Sequence, residues 1–211
     1  MKIAILGAGN VGSTLGKTWA NNNHQVCFGV KNPTADKTQA LIKDIGSNAS
    51  ASSVTEAVPD ADVVVLATPW QVTQQVIEEC GNLTNKIVID CTNPLSEDFS
   101  TLTIGLTTSG AEQVADWAKG AKVYKAFNQT GWENMANPTV ENRKTVMFVC
   151  GDDEDGKSTV LKLTEEIGFE AIDAGLLDSA RLLEPYGLLW IKLAHAYGQG
   201  RDFGFALVRR K

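Results

Sequence analysis

Two hydrophobic periods alternate along the chain. Short aliphatic runs over residues 2–6, 25–30, 62–67 and 86–90 are nearly continuous, as expected of strands covered on both faces. Between them apolar residues recur at helical spacing. Val11, Leu15 and Trp19 stand at i, i+4 and i+8 and predict a helix over 11–22, stopped by Asn21-Asn22-Asn23. Residues 36–45 read as a second helix with Ala40, Leu41 and Ile45 inward and Gly46 as its stop. Val54-Thr55-Glu56-Ala57 is a short turn or helix. Pro69 opens a helix to about Cys80, because proline suits the first turn.

The second half continues the alternation. Residues 92–108, rich in Thr, Ser and Asn, are expected as a loop over a site. A helix follows over 109–119, then strands over 122–127, 145–150 and 169–173. The intervening helix, 153–167, has an acidic first turn that suits the positive end of a helix dipole. A last long helix starts at Asp178 or Ser179 and runs to about Tyr197, with leucines and Trp190 on more than one face. Residues 203–208 read as a final strand. Strands separated by helices imply an α/β, Rossmann-type, doubly wound and mostly parallel sheet with helices on both faces. Residues 1–150 are expected to form the dinucleotide-binding domain, and 151–211 a small C-terminal α/β lobe that shapes the acceptor site. Ligands of such sheets sit beyond the carboxyl ends of the strands, so the residues just after each strand carry the chemistry.

Composition narrows the partners. The chain has 211 residues, 43% hydrophobic and 21% charged, which excludes a disordered chain. Its formal net charge is -6 and no basic stripe stands out, so no nucleic-acid partner is expected. No apolar run approaches the roughly 20 residues of a membrane span. The run Ile3-Ala4-Ile5-Leu6 ends at Gly7, short of a secretory core of roughly 7–15 residues, and the expectation is a cytoplasmic protein. Cys27, Cys80, Cys91 and Cys150 are scattered among apolar runs, with no C-x-x-C and no Cys/His cluster. They read as buried, reduced thiols, and no metal site is expected.

Gly7-Ala8-Gly9-Asn10-Val11-Gly12 matches G-x-G-x-x-G between a strand and a helix, the context that gives this string its meaning. Gly7 permits the tight turn and Gly9 lets a pyrophosphate approach the backbone. Gly12 lets the helix pack on the strand, and the amides of the first turn, at Asn10 and Val11, hold the anion. After the second strand, Val30-Lys31-Asn32-Pro33 lacks the acid that usually meets the ribose of NAD. Lys31 would pair with a 2′-phosphate, with Asn32 and Thr34 adding hydrogen bonds, so NADP is favoured over NAD. Lys31 as a plain surface charge is the alternative.

Four polar stretches follow strand ends: Thr68-Pro69-Trp70, Cys91-Thr92-Asn93-Pro94, Asn128-Gln129-Thr130 and Asp173-Ala174-Gly175. The first three are expected to line the crevice for ribose and nicotinamide. Pro69 and Trp70 offer a wall for a flat ring, and Asn93 and Asn128 could orient an amide. Turn chemistry alone is the competing reading for each. There is no Tyr-x-x-x-Lys pair and no G-x-S-x-G elbow. His24 is expected on the surface, and His195 as an interface or capping residue. No catalytic acid or base is assigned, but hydride transfer to a flat acceptor needs mainly apposition.

With Phe28-Gly29-Val30-Lys31-Asn32-Pro33, Ala67-Thr68-Pro69-Trp70, Asp90-Cys91-Thr92-Asn93-Pro94-Leu95, Lys125-Ala126-Phe127-Asn128 and the stretch from Asp173 to Arg181, the chain resembles a known family. It is similar to the deazaflavin (coenzyme F420)-dependent NADP oxidoreductases, and to the cytosolic NADPH-binding domain of the six-transmembrane epithelial ferric reductases. The resemblance implies NADPH at the glycine loop, a hydride passed to a flavin, deazaflavin or similar small-molecule acceptor, and a C-terminal lobe around residues 181–197 that often joins a homodimer. Two positions depart from the family. Val30-Lys31 replaces its usual Ser-Arg, which removes a bidentate fork. Asn128 stands where deazaflavin reductases tend to carry His, although the ferric-reductase domains have Asn there. The remaining alternatives are a non-catalytic NADPH-binding sensor and a small imino-acid or β-hydroxyacid reductase.

Overall fold

A computed structural model describes residues 1–210. The elements in chain order are β1 (Lys2–Leu6), α1 (Asn10–Asn21), β2 (Gln25–Gly29), α2 (Asp36–Ile45), β3 (Ala49–Ser52), α3 (Val54–Ala57), β4 (Val63–Leu66), α4 (Trp70–Glu79) and β5 (Ile87–Asp90). There follow α5 (Gly110–Trp117), β6 (Lys122–Lys125), α6 (Trp132–Ala136), β7 (Thr139–Val140), β8 (Arg143–Lys144), β9 (Val146–Gly151), α7 (Glu154–Ile167), β10 (Glu170–Asp173) and α8 (Ala180–His195).

One eight-stranded sheet has the order β10-β9-β6-β5-β4-β1-β2-β3. Its six strands from β3 to β6 are parallel, and β9 joins β6 antiparallel. The alternation of side chains along each strand divides the core between the two faces. Ala4, Leu6, Val64, Leu66, Val88 and Val123 point to one side, where Val76, Ile77 and Val114 of α4 and α5 cover them. Ile3, Ile5, Val63, Val65 and Ile89 point to the other, where Leu15 and Trp19 of α1 and Val160 and Leu163 of α7 lie. Trp19 is fully buried and its Nε1 donates to the Leu163 carbonyl at 3.0 Å, which ties α1 to α7. Because β10 belongs to the same sheet and α7 to the same core, residues 151–173 continue the structure of the preceding strands.

The doubly wound α/β fold is as the hydrophobic pattern predicts, but β3, α6, β7 and β8 lie outside the expected elements, and four further expectations differ in detail. Residues 203–208 form no strand, although β6 pairs with β9 only at Cys150 and Gly151 and leaves its first residues open on that edge. Their single tie to it is the Val146 N–H donated to the Phe205 carbonyl. In α2, Ala40 is exposed, while Thr38 is buried and Leu41, Ile42 and Ile45 pack on the core. His24 is buried, since Nε2 lies 2.7 Å from the Glu166 carboxylate and Nδ1 3.3 Å from the Met1 amine. All four cysteines are free, but Cys27 and Cys91 are only half-buried. Among the described residues no helix is long and apolar enough to cross a membrane, and no cluster of His, Cys, Asp and Glu could hold a metal ion.

Candidate functional site

The glycine loop is built by two packed glycines around a bare one. Gly7 has φ +109°, and a Cβ there would lie 2.6 Å from the Ala67 carbonyl oxygen at the end of β4. A Cβ on Gly12 would collide with the Gly7 carbonyl. Both positions therefore require glycine for packing alone. Gly9 differs: a Cβ there would meet nothing within 4 Å. Gly9 caps α1 without any side-chain bond, and the first turn holds no acidic residue. The first amide to bond back is Ser13, to the Gly9 carbonyl at 2.8 Å, so the amides of Asn10, Val11 and Gly12 face outward with the positive end of the helix. A dinucleotide pyrophosphate fits this cradle.

Lys31 follows β2, is exposed, and has no ion-pair partner among the described residues. Asn32 organises the turn beside it. Its Oδ1 accepts from Thr34 Oγ1 at 3.0 Å and its carbonyl from the Ala35 amide at 3.3 Å. The Thr34 hydroxyl thus supports Asn32 rather than standing free.

A cavity of about 770 Å³ opens beyond the strand ends. Val11 lines it at the head of α1, so it is continuous with the glycine loop. Cys91 and Asn93 enter from beyond β5, and Phe127, Asn128 and Thr130 from beyond β6. Its outer walls are Trp132 of α6, Phe99 of the 92–108 loop, Trp190 and His195 of α8, and Tyr197 and Arg201 of the C-terminal segment. Phe99, Trp132 and Tyr197 are 60%, 36% and 66% exposed, and all the exposed aromatic side chains among the described residues lie on this cavity. Arg201 sits over the Trp190 ring at 5.5 Å, donates through Nε and Nη2 to Glu133, and has Nη1 2.8 Å from His195 Nε2.

Of the residues expected to frame the nicotinamide, Asn93 and Asn128 line the cavity but face each other. Asn128 Nδ2 donates to Asn93 Oδ1 at 3.0 Å and to the Leu183 carbonyl at 3.1 Å, and Gln129 donates to its Oδ1. Asn93 Nδ2 donates to the Asn128 carbonyl at 2.7 Å. Both donors of Asn128 are spent, so only Asn93 keeps an N–H for a ligand. Thr68, Pro69 and Trp70 do not line the cavity. Thr68 lies against the glycine loop, with its hydroxyl 3.1 Å from that of Thr73. Trp70 turns away to pack on Trp117, 5.2 Å between ring centroids, because it begins α4 on the face covering the sheet. The strand-end rule reached Cys91 and Thr130 as well as the asparagines. It did not reach Phe127, Trp132 or Arg201, whereas Phe99 falls in the 92–108 loop expected over a site, and Trp190, His195 and Tyr197 fall in the 181–197 lobe that the resemblance implies at the acceptor. Phe127, with φ +61°, carried a signal only in its adjacency to Asn128.

Beneath the strand ends lies a buried charge network. Lys125 Nζ is 2.6 Å from Asp90 and 2.8 Å from Glu184, and it donates to the Thr92 carbonyl at 2.9 Å. Glu184 also accepts the Gly110 and Ala111 amides at the head of α5, at 2.8 and 3.0 Å. Burial opposes the charge on Lys125, yet Asp90 and Glu184 outweigh it and hold the ammonium above its ordinary value. Burial pushes the Cys91 thiol well above the usual range, so the cavity holds no ready thiolate.

This geometry sets an open glycine loop, suited to a dinucleotide, beside an aromatic-walled cavity. The family model of the coenzyme F420-dependent NADP oxidoreductases matches residues 2–94. The F420-dependent NADP reductase of Methanocaldococcus jannaschii is 31% identical over 214 aligned positions, covering 93% of this chain and 94% of that protein. The chain belongs to the coenzyme F420-dependent NADP oxidoreductase family, whose members are NADP-dependent oxidoreductases. The metalloreductase STEAP3 of Rattus norvegicus is 29% identical over 188 residues, which is 89% of this chain but only 36% of that longer protein. Among solved structures, a candidate F420-dependent NADP reductase from Arthrobacter sp. FB24 superposes with a TM-score of 0.89 at 29% identity, covering 99% of this chain and 100% of that one. An imine reductase from Aspergillus terreus superposes at 0.68 with 17% identity, covering 93% of this chain and 63% of that one, a likeness of fold alone.

Proposed function

We propose that this protein transfers a hydride between NADP(H) and a flavin, deazaflavin or similar flat acceptor. The observation that carries the reading is one continuous cavity, from Val11 at the glycine loop to the aromatic walls at Phe99, Trp132 and Tyr197. The amides of Asn10, Val11 and Gly12 hold the pyrophosphate and Lys31 meets the 2′-phosphate. NADP(H) supplies the hydride at its nicotinamide ring. The chain supplies binding and apposition: strand-end residues Cys91, Asn93, Phe127 and Asn128 bound the ring, and the aromatic walls hold the acceptor and exclude water. The hydride step itself needs no proton-transferring side chain from the chain.

The test is NADPH oxidation against a panel of FMN, FAD, deazaflavin, ferric chelates and quinones. Turnover with flat-ring acceptors is expected. Tight NADPH binding with no turnover on any of them would refute the reading and leave a sensor. The proposal extends to a cytoplasmic homodimer. Leu182 and Leu189, seven residues apart on one face of α8, are 73% and 49% exposed and suit a second copy.

A further inference from the structure

The last helix docks on the strand ends through residues 183–187, where three contacts meet. Glu184 is 1% exposed, and its carboxylate bridges Lys125 of β6 to the leading amides of α5. The neighbouring Leu183 carbonyl accepts from Asn128 Nδ2. One turn on, Gly187 lets the helix backbone approach Asn128 so closely that a Cβ would lie 2.6 Å from the Asn128 carbonyl oxygen. The turns that follow carry Trp190, Ile191 and His195 into the cavity wall. On the opposite side of the junction, Asp90 directly precedes the cavity residue Cys91, and Lys125 stands two residues before Phe127.

We infer that residues 183–187 form a positioning clamp, in which Glu184, Gly187 and Asn128 set the gap between the nicotinamide side of the cavity and its acceptor wall. The inference rests on the cavity being the hydride-transfer site, and it assigns a role to Glu184 and Gly187, which do not line the cavity. Its physical basis is geometric. The carboxylate is fixed from two elements at once, and pulling a buried ion pair of this kind apart is costly because each partner would be left uncompensated. Asn128 has no donor left to yield, and the helix cannot slide along the strand ends without breaking both the Asn128–Leu183 bond and the Lys125–Glu184 pair. Hydride transfer is steep in distance, and a shift of about 1 Å can cost about a hundredfold in rate.

Two variants test the clamp. Gly187→Ala drives the helix off the Asn128 carbonyl, and Glu184→Gln keeps size while removing charge. Each is examined for NADPH affinity by calorimetry, single-turnover reduction of FMN, and alkylation of Cys91 by iodoacetamide mapped by mass spectrometry, with core residue Cys150 as the control. The clamp predicts unchanged NADPH affinity, hydride transfer slowed about a hundredfold, and faster alkylation at Cys91 alone. Unaltered transfer and unaltered Cys91 reactivity in both variants would overturn it. So would joint loss of NADPH affinity, transfer and Cys150 protection, which marks a residue that merely supports the fold. A wild-type protein that binds NADPH but reduces no acceptor would instead refute the proposed reaction, and the alkylation contrast would still decide the clamp.

Discussion

At Gly9 the backbone is left bare while its two sister glycines are packed, and this contrast separates structural from binding roles within one motif. Gly9→Ala should leave thermal stability nearly unchanged, because the new methyl meets no protein atom, and should weaken NADPH measured by calorimetry. Gly12→Ala should lower the melting temperature as well, because its methyl meets the Gly7 carbonyl. Lys31 makes a second prediction at this scale. A charge-assisted bond is worth about 1.5–3 kcal/mol, so Lys31→Ala should weaken NADPH about 10- to 100-fold and leave NADH nearly unaffected. Equal losses for both coenzymes would refute the contact with the 2′-phosphate. The motif glycines were legible because strand, turn and helix onset all appear in the local pattern. The inward partnership of Asn93 and Asn128 was not, because it joins residues from two strand ends whose separation only the sheet order fixes.

Among the elements, α5 and α8 are joined by charges that the chain order hides. Arg181 donates through Nε and Nη2 to Glu112, which also accepts from Ser109 Oγ. The Arg181 hydrogen bond, offset in part by burial and aided by Ser109, holds the Glu112 carboxyl below its ordinary value of 4.5. The same holds for Glu133 beneath Arg201. A lowered carboxyl contributes stability that is fully present above the unfolded value and lost as pH falls through the folded one. Melting temperature should therefore drop on acidification below 4.5, and Arg181→Ala should make that drop shallower. Lys125→Met should be far more costly, about 3–5 kcal/mol by denaturant unfolding at neutral pH, because Asp90 and Glu184 would remain buried without their cation. The long aliphatic strands and amphipathic helices were readable from periodicity. Helix α6 and the β7–β8 pair were not, since they are short and depend on distant partners. Asn134 of α6, for example, donates to the Phe203 carbonyl of the C-terminal segment. That segment misled in the opposite sense. Phe203, Phe205 and Leu207 alternate like a strand, but Phe203 and Phe205 instead pack on Trp190 and Tyr186.

For the whole molecule, the carboxyl ends of the central strands bring Val11 beside the glycine loop, the residues beyond β5 and β6 and the wall of α8 into a single chamber. The relatives divide on what they reduce, and the chamber's aromatic lining favours a ring over a particular set of hydrogen bonds. The exposed leucines of α8 lead to a prediction at this scale: sedimentation should show a dimer for the wild type and a monomer for the Leu182→Glu, Leu189→Glu double variant. A wild-type monomer at micromolar concentration would remove the second copy from the account. The central claim is most directly tested by a crystal structure grown with NADPH. Pyrophosphate is expected on the amides of Asn10, Val11 and Gly12, the 2′-phosphate beside Lys31, and the nicotinamide ring in the cavity between Val11 and Asn128. A coenzyme bound elsewhere, or a glycine loop closed by side chains with NADPH present at saturating concentration, would contradict the claim.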